Sequence, residues 1–246
     1  MLAQLTDPHI RVGADDTGSA AALAAGVRAV LALDVAPDAV VVTGDIADTG
    51  AAEEYARAAE LLAPLPMPVH VLPGNHDDRD GLSAAFALPA TGFPYAVAAG
   101  PLRLVACDTT VPGEDSGRVD VDRRRALEAA LAAAPEVPTI VALHHPPIHI
   151  GIDALDAIGL PAADRAMLAG LLARSAQVHG VIAGHVHRTA AGTLGGTAVT
   201  TCASTNLQAR LQIGGTTLRF APDPPAFALH VLVDGELVTH VQPIER

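Results

Sequence analysis

The sequence predicts an α/β fold, because short aliphatic, β-branched runs alternate with alanine-rich helical patterns over its first three quarters. Half of the 246 residues are hydrophobic and 17% are charged, so the chain has the apolar mass for a substantial core. Aromatics are only 2%, which leaves that core to closely packed small aliphatic side chains.

Each element follows from a run and its punctuation. A strand over Leu2 to Thr6 stops at Asp7-Pro8, and a helix over Ser19 to Leu33 follows Gly18. Ala39 to Thr43 is a strand closed by Gly44, and Ala51 to Leu62 a helix opened after Gly50. Val69 to Leu72 is a strand stopped by Pro73-Gly74, and Arg79 to Ala87 a helix behind two aspartates. Strand Leu102 to Ala106, helix Asp122 to Ala133, strand Thr139 to Leu143, helix Ala162 to Arg174 and strand Val178 to Ala183 continue the alternation. The last quarter changes character, with runs at Thr197 to Thr201, Ala226 to Val233 and Glu236 to Val241. Asp234-Gly235 between the final two is a hairpin signal, so this part is expected to be antiparallel. Asn206 to Pro225 has weak periodicity with Gly214-Gly215 and Pro224-Pro225, and reads as a long loop or a short hairpin excursion, either functional or a surface insertion. One domain over residues 1–246 is expected, with its polar motifs in 1–204 and antiparallel strands and loop in 205–246.

Several classes of function are excluded. Apolar stretches such as Gly18 to Val27 and Val137 to Leu143 are interrupted well before the ~20 residues a membrane span needs. The amino terminus lacks a basic stretch, apolar run and cleavage site, so a cytoplasmic location is expected. Cys107 and Cys202 are too few for a disulfide framework and sit in apolar surroundings that suggest buried, inert thiols. A net charge of −12 repels a phosphate backbone, so long nucleic acid is not an expected partner, and the run Arg123-Arg124-Arg125 reads as a solvated helix face. All 15 basic residues are arginine; without lysine neither a P-loop nor a Schiff-base centre can be written. No Gly-x-Ser-x-Gly elbow occurs.

Five polar clusters stand immediately after predicted strands: Asp7-Pro8-His9, Gly44-Asp45-Ile46-Ala47-Asp48, Gly74-Asn75-His76-Asp77, His144-His145-Pro146 and Gly184-His185-Val186-His187. Strand carboxyl ends in a twisted α/β sheet open on one crevice, so groups distant in sequence can converge there. Imidazole, carboxylate and carboxamide oxygen without thiolate suit Mn, Fe, Co, Zn or Ni. Seven candidate ligands exceed one tetrahedral site, whereas two ions ~3.5–4 Å apart that share one carboxylate would use them all. Such a pair polarises phosphoryl oxygens and lowers the pKa of a bridging water towards ~7.

The ordered clusters resemble the calcineurin-like metallophosphoesterase superfamily, whose motifs D-x-H, G-D-x-x-D, G-N-H-D/E, H and G-H-x-H are matched over residues 5 to 188. The resemblance implies a four-layer fold of two packed mixed sheets flanked by helices. It assigns Asp7, His9 and His187 to one metal, Asn75, His144 and His185 to the other, and Asp45 to both. Of the adjacent histidines it places the ligand at His144; successive strand side chains point oppositely, so His145 is left to orient a neighbour or pack beneath the site. His76 is similar to the family histidine that faces substrate and protonates the leaving oxygen or stabilises its charge, with Asp77 as a group that orients it. Asn75 also lies within reach of substrate, and His149, on a loop a few residues past His144, is a further candidate contact. Asp48 and Asp108 read either as acceptors beside the site or as helix-start and turn residues, and the structural role is favoured for both. His70, His179, His230 and His240 lie in strand-like runs and read as packing residues.

Within the superfamily, Thr6-Asp-Pro-His9, Gly44-Asp-Ile-Ala-Asp48, Pro73-Gly-Asn-His-Asp-Asp78, Asp108-Thr-Thr-Val-Pro-Gly-Glu114 and His144-His-Pro-Pro147 look like the class III cyclic-nucleotide phosphodiesterase and glycerophosphodiesterase branch. The sequence departs from that pattern at Cys107 and after Ser204. The expected activity is hydrolysis of small phosphodiesters, such as 3′,5′-cyclic nucleotides or glycerophosphodiesters, by a hydroxide bridging two metals (Mn, Fe, Zn or Co). The alternatives are a phosphomonoesterase or nucleotidase with the same centre, and a non-catalytic scaffold. The resemblance also implies a homodimer or larger homo-oligomer.

Overall fold

In the computed structural model, which describes residues 1–246 apart from Thr17, Thr91 and Arg246, the aliphatic runs become strands buried on both faces. The chain runs β1 (Leu2–Leu5), α1 (Ser19–Leu31), β2 (Ala39–Thr43), α2 (Ala52–Leu62), β3 (Val69–Leu72), α3 (Arg79–Phe86), β4 (Tyr95–Ala99) and β5 (Leu102–Ala106). It continues through α4 (Val121–Ala132), β6 (Thr139–Leu143), α5 (Asp153–Asp156), α6 (Ala162–Leu172), β7 (Val178–Ala183), β8 (Ala190–Leu194) and β9 (Thr197–Thr201). The last elements are β10 (Gln208–Ala209), β11 (Phe220–Ala221), β12 (Ala226–Val233) and β13 (Glu236–Pro243).

Side chains alternate across a strand, so each continuous apolar run feeds two cores. Leu2, Ala39 and Val41 join Leu104, Ile140 and Ile182 in a layer between two sheets. Ala3, Leu5, Val40 and Val42 face the other way, onto Leu23 and Val27 of α1 and Tyr55 of α2. In the other sheet Val105, Val141 and Val181 pack on Leu127 of α4 and Leu168 of α6. Three apolar layers thus separate four strata: helices, sheet, sheet, helices. One sheet has five strands in the order β13-β12-β1-β2-β3, the other six in the order β4-β5-β6-β7-β9-β8. Both are mixed: β1, β2 and β3 are parallel, with β12 antiparallel to β1 and β13 antiparallel to β12, while β5, β6, β7 and β9 are parallel, with β4 and β8 antiparallel at the edges.

The expected α/β alternation and antiparallel final hairpin are present, and Asp234 and Gly235 both turn with positive φ, as a tight hairpin of this hand requires. Two edge strands, β4 and β8, lie outside the sequence expectation. Their alanine- and glycine-rich runs, Tyr-Ala-Val-Ala-Ala and Ala-Ala-Gly-Thr-Leu, have little intrinsic strand preference, and ladders to β5 and β9 hold them. The segment 206–225 takes the hairpin alternative, with β10 and β11 paired as a two-stranded ribbon. Both cysteines are buried, and burial pushes each thiol up to about 12. Of the three-arginine run only Arg125 is mainly solvated; Arg123 donates to the Thr110 carbonyl and Arg124 to Glu128. No helix among the described residues is long and apolar enough to cross a membrane.

Candidate metal centre

The five polar clusters meet where the parallel strands β1, β2, β3, β6 and β7 end, and the loops are cross-linked there by their backbones. Asp7 N–H donates to the Gly44 carbonyl, His9 N–H to that of Asp45, and Gly184 N–H to that of His144. The loops reverse so sharply that Asp7, His9, Asp45, His185 and His187 all lie in the left-handed backbone region, with φ between 45° and 67°. That conformation costs about 1 kcal/mol or more per non-glycine residue, and its concentration on five ligand candidates marks a site the surrounding fold over-determines. Glycines supply closeness here more than flexibility. A Cβ on Gly74 would lie 2.2 Å from Asp45 Oδ1, one on Gly184 2.2 Å from Thr6 Oγ1, and one on Gly44 2.4 Å from His144 Nδ1.

The imidazoles present their inner nitrogens to one another and to carboxylates. His144 Nδ1 bonds the Thr43 carbonyl at 2.8 Å, leaving Nε2 3.1 Å from Asn75 Oδ1 and 3.4 Å from Asp45 Oδ2. His187 Nδ1 bonds the Leu207 carbonyl at 2.8 Å, and its Nε2 lies 3.0 Å from His9 Nε2 and 3.6 Å from Asp7 Oδ1. His9 Nδ1 bonds Asp48 at 3.2 Å, so its Nε2 points inward too, 3.4 Å from Asp45 Oδ2. Two neutral imidazoles with their outer nitrogens donating would set lone pairs against each other at 3.0 Å. A cation between them removes that repulsion. His185 bonds Asn75 Oδ1 through Nδ1, while its buried Nε2 has no partner.

The ionisation pattern points the same way. Burial opposes the charged form of His144, yet Asp45 beside it raises the ring to about 9, while His144 and His9 hold the buried Asp45 well below the carboxylate range. The pocket demands positive charge. Asp7, His9, Asp45 and His187 offer atoms within 4.8 Å of one another, as do His144, His145 and His185. His145 nevertheless has both ring nitrogens bonded, one to Thr109 Oγ1 at 2.8 Å and one to the Asp115 carbonyl at 3.0 Å, so His144 is the better ligand. Borderline nitrogen donors and carboxylates suit a pair of transition-metal ions, and the residues present fit such a group.

Other expectations are corrected. Asp77 does not touch the His76 ring: its buried carboxylate accepts from the backbone N–H groups of Ile46, Ala47 and Gly74, stitching the Asp45 loop to the Asn75 loop. The partner of His76 Nδ1 is the Asp48 carbonyl, at 2.7 Å. Asp48 is therefore more than a helix-start residue, since its carboxylate also holds His9 and pairs with Arg11 at 2.9 Å. His149 stands away from the centre, its side chain 55% exposed and 3.6 Å from Asp156. Asp108 closes a turn on Thr110 and binds Arg79, as expected. Among the remaining histidines, His240 is exposed, and His230 is fully buried with both ring nitrogens bonded.

The centre opens on a cavity of about 410 Å³. His9, Asp45, Asn75, His76, His185 and His187 line it. Leu155, Ile158, Leu207, Leu218 and Phe220 form its apolar wall, and the Phe220 ring lies 5.8 Å from that of His187. Three of these five belong to the segment 206–225, whose wall role no sequence signal betrays beyond its isolated large apolar residues.

This fold and site define a phosphoesterase with a histidine–carboxylate metal centre. The calcineurin-like phosphoesterase family model matches residues 1–189, and the chain belongs to that family. By class it is a metal-dependent hydrolase of phosphoric esters. Over 217 residues it is 32% identical to a probable glycerophosphodiester phosphodiesterase, GpdQ, of Arcobacter nitrofigilis, covering 85% of this chain and 79% of that one. It is 34% identical to the 3′,5′-cyclic adenosine monophosphate phosphodiesterase CpdA of Vibrio vulnificus, covering 76% and 69%. These relatives support the class III branch. Among solved structures, a dimetal phosphatase from Danio rerio superposes with a TM-score of 0.73 over 99% of this chain and 96% of that one; at 19% identity this likeness speaks for the fold.

Proposed function

We propose that the chain is a binuclear metal-dependent phosphodiesterase of small molecules. The observation that carries this is the convergence of inward-facing imidazole nitrogens on two carboxylates at 3.4–3.6 Å, with the His9 and His187 nitrogens 3.0 Å from each other. Asp7, His9 and His187 would hold one ion, Asn75, His144 and His185 the other, with Asp45 between them. When bound, the ions supply Lewis-acid polarisation of the phosphoryl group and acidify a water near neutral pH.

The chain's own residues do the rest. His76 Nδ1 is occupied by the Asp48 carbonyl, so the tautomer is set and Nε2 is the nitrogen available to the cavity. Protonated there, it donates to the departing ester oxygen. Its backbone N–H holds Asp45 Oδ1 at 3.0 Å, tying the proton donor to the shared carboxylate. The apolar wall of Leu207, Leu218 and Phe220 suits an ester arm with a flat apolar body, which favours a cyclic nucleotide over a glycerophosphodiester. The exposed Leu211 and Ile213, on the connection between β10 and β11, support a contact with a second copy, which light scattering would read as a dimer mass.

Protein stripped of metal and refilled with Mn²⁺ is expected to hydrolyse bis(p-nitrophenyl) phosphate, and Asp45→Ala to abolish that activity; an indifferent mutant would sink the mechanism. Faster turnover of p-nitrophenyl phosphate than of the diester would favour a phosphomonoesterase instead.

A further inference from the structure

Four polar side chains interrupt the apolar space around the first sheet: Gln4, Thr6, Thr43 and His230 are all fully buried. They are joined to one another in a single line. Thr6 Oγ1 lies 2.6 Å from Asp7 Oδ2, Thr43 Oγ1 2.7 Å from Thr6 Oγ1, and Gln4 Nε2 2.9 Å from Thr43 Oγ1. His230 Nε2 is 3.1 Å from Gln4 Oε1, and Thr239 Oγ1 2.9 Å from His230 Nδ1.

The direction of every proton follows from the end of the line. The Asp7 carboxylate only accepts, so the Thr6 hydroxyl donates to it. The Thr6 oxygen then accepts from the Thr43 hydroxyl, and the Thr43 oxygen accepts from the Gln4 amide. The other Gln4 N–H goes to the Ala183 carbonyl at 3.0 Å, which fixes which end of the amide is nitrogen. Gln4 Oε1 therefore faces His230 Nε2–H, and His230 Nδ1 accepts from the Thr239 hydroxyl. Competing acceptors are longer: 3.4 Å from Thr6 Oγ1 to the Thr43 carbonyl and 3.5 Å from Thr43 Oγ1 to the Leu5 carbonyl.

We propose that Gln4, Thr43 and His230 are positioning residues for Asp7, forming with Thr6 and Thr239 a one-way hydrogen-bond chain from the C-terminal hairpin to the metal centre. The proposal rests on the two-metal reading of that centre. With Oδ2 held by Thr6 and both oxygens braced by the His185 N–H at 3.0 and 3.2 Å, Asp7 keeps Oδ1 turned toward His187. Outer partners of metal-binding groups typically change affinity by ~10–100-fold when removed. If the five polar groups merely satisfied one another, cutting the line would lower thermal stability and leave ion affinity alone.

The test is Mn²⁺ binding to chelator-stripped protein, followed by titration calorimetry, with melting temperature read on the same samples. Thr43→Val keeps the shape and cuts the line at its centre; Thr43→Ser keeps the hydroxyl. At the far end, His230→Leu cuts the line and His230→Gln restores a donor and an acceptor. T43V and H230L are expected to weaken Mn²⁺ binding by about tenfold or more, with T43S and H230Q within about threefold of wild type. Folded T43V and H230L with wild-type affinity would overturn the proposal, as would T43S weakened as much as T43V. Should the buried variants fail to fold, Thr239→Val at the half-buried end carries the test, with a loss of about two- to fivefold expected and unchanged affinity overturning it. Wild-type protein that bound no Mn²⁺ would overturn the two-metal reading and this proposal with it.

Discussion

Replacing Gly74 by alanine tests whether the close approach of the strand-end loops matters for activity. The added Cβ would stand 2.2 Å from Asp45 Oδ1, 2.3 Å from the Asp45 backbone nitrogen and 2.7 Å from His144 Cε1. Uncrowded contacts between such atoms begin near roughly 3.5 Å, so Asp45 or the Gly74 loop must shift by about 1 Å. A displacement of that size at a reacting centre costs about 100-fold in rate, and overpacking a rigid site about 1–3 kcal/mol in stability. Gly196→Ala is the matched control: its φ of +87° makes alanine strained by about 1–2 kcal/mol, but no atom lies within 4 Å of the new Cβ. Both variants are expected to melt several degrees lower, at roughly 2–4 °C per kcal/mol for a chain of this size. Only Gly74→Ala is expected to lose kcat/KM on bis(p-nitrophenyl) phosphate. A Gly74→Ala enzyme within about threefold of wild type would refute the geometric argument, and equal losses in both variants would assign the effect to stability.

Phe220→Ala removes the ring of the apolar wall, and the ratio of kcat/KM for a cyclic nucleotide to that for a glycerophosphodiester is expected to fall roughly three- to tenfold; an unchanged ratio would deny the wall a part in selection. Chelation is expected to lower the melting temperature by about 5–10 °C, since ions at ~100 times Kd add about 2.7 kcal/mol to the folded state alone; an unmoved transition would mean the stripped site was never loaded. Burial lowers His230 to about 4 from 6.5. The unfolded chain therefore takes up a proton first as pH falls, and stability present above pH ~6.5 is lost down to pH ~4 by about 3 kcal/mol. Urea midpoints at pH 7 and 4.5 are expected to differ less in His230→Gln than in wild type, and equal differences would contradict the assignment.

The strand-end clusters were legible because each ligand candidate follows its own strand, a local pattern that topology turns into proximity. Gly44 and Gly184 stand before ligand candidates in the sequence; Gly44 has a φ of +92°, whereas Gly184 is required for clearance and not for left-handed conformation. What escaped the sequence depended on partners far along the chain. His230 reads as a packing residue until Gln4, 226 residues earlier, is seen against its Nε2. Asp77 sits beside His76 in sequence, which suggests a contact, but its carboxylate turns toward three backbone N–H groups instead. Asp48 reads locally as a helix start, because nothing near it in sequence shows that its carboxylate and its carbonyl serve two different histidines. The ribbon of 206–225 carries no periodicity because each of its strands pairs for only two residues.

The strand β1 lies between β2 and β12 in its sheet, so the segment bearing Asp7 and His9 is flanked on one side by residues made soon after it and on the other by residues 226–233. During synthesis the D-x-H loop must wait for residues 226–233, more than 200 positions later, before its strand is paired on both edges. A ribosome-bound fragment that already contains every candidate ligand, up to His187, would still lack that edge and the Leu207 carbonyl bonded to His187. Catalytic competence is therefore expected only once residues 226–233 have emerged and β1 is paired on both edges.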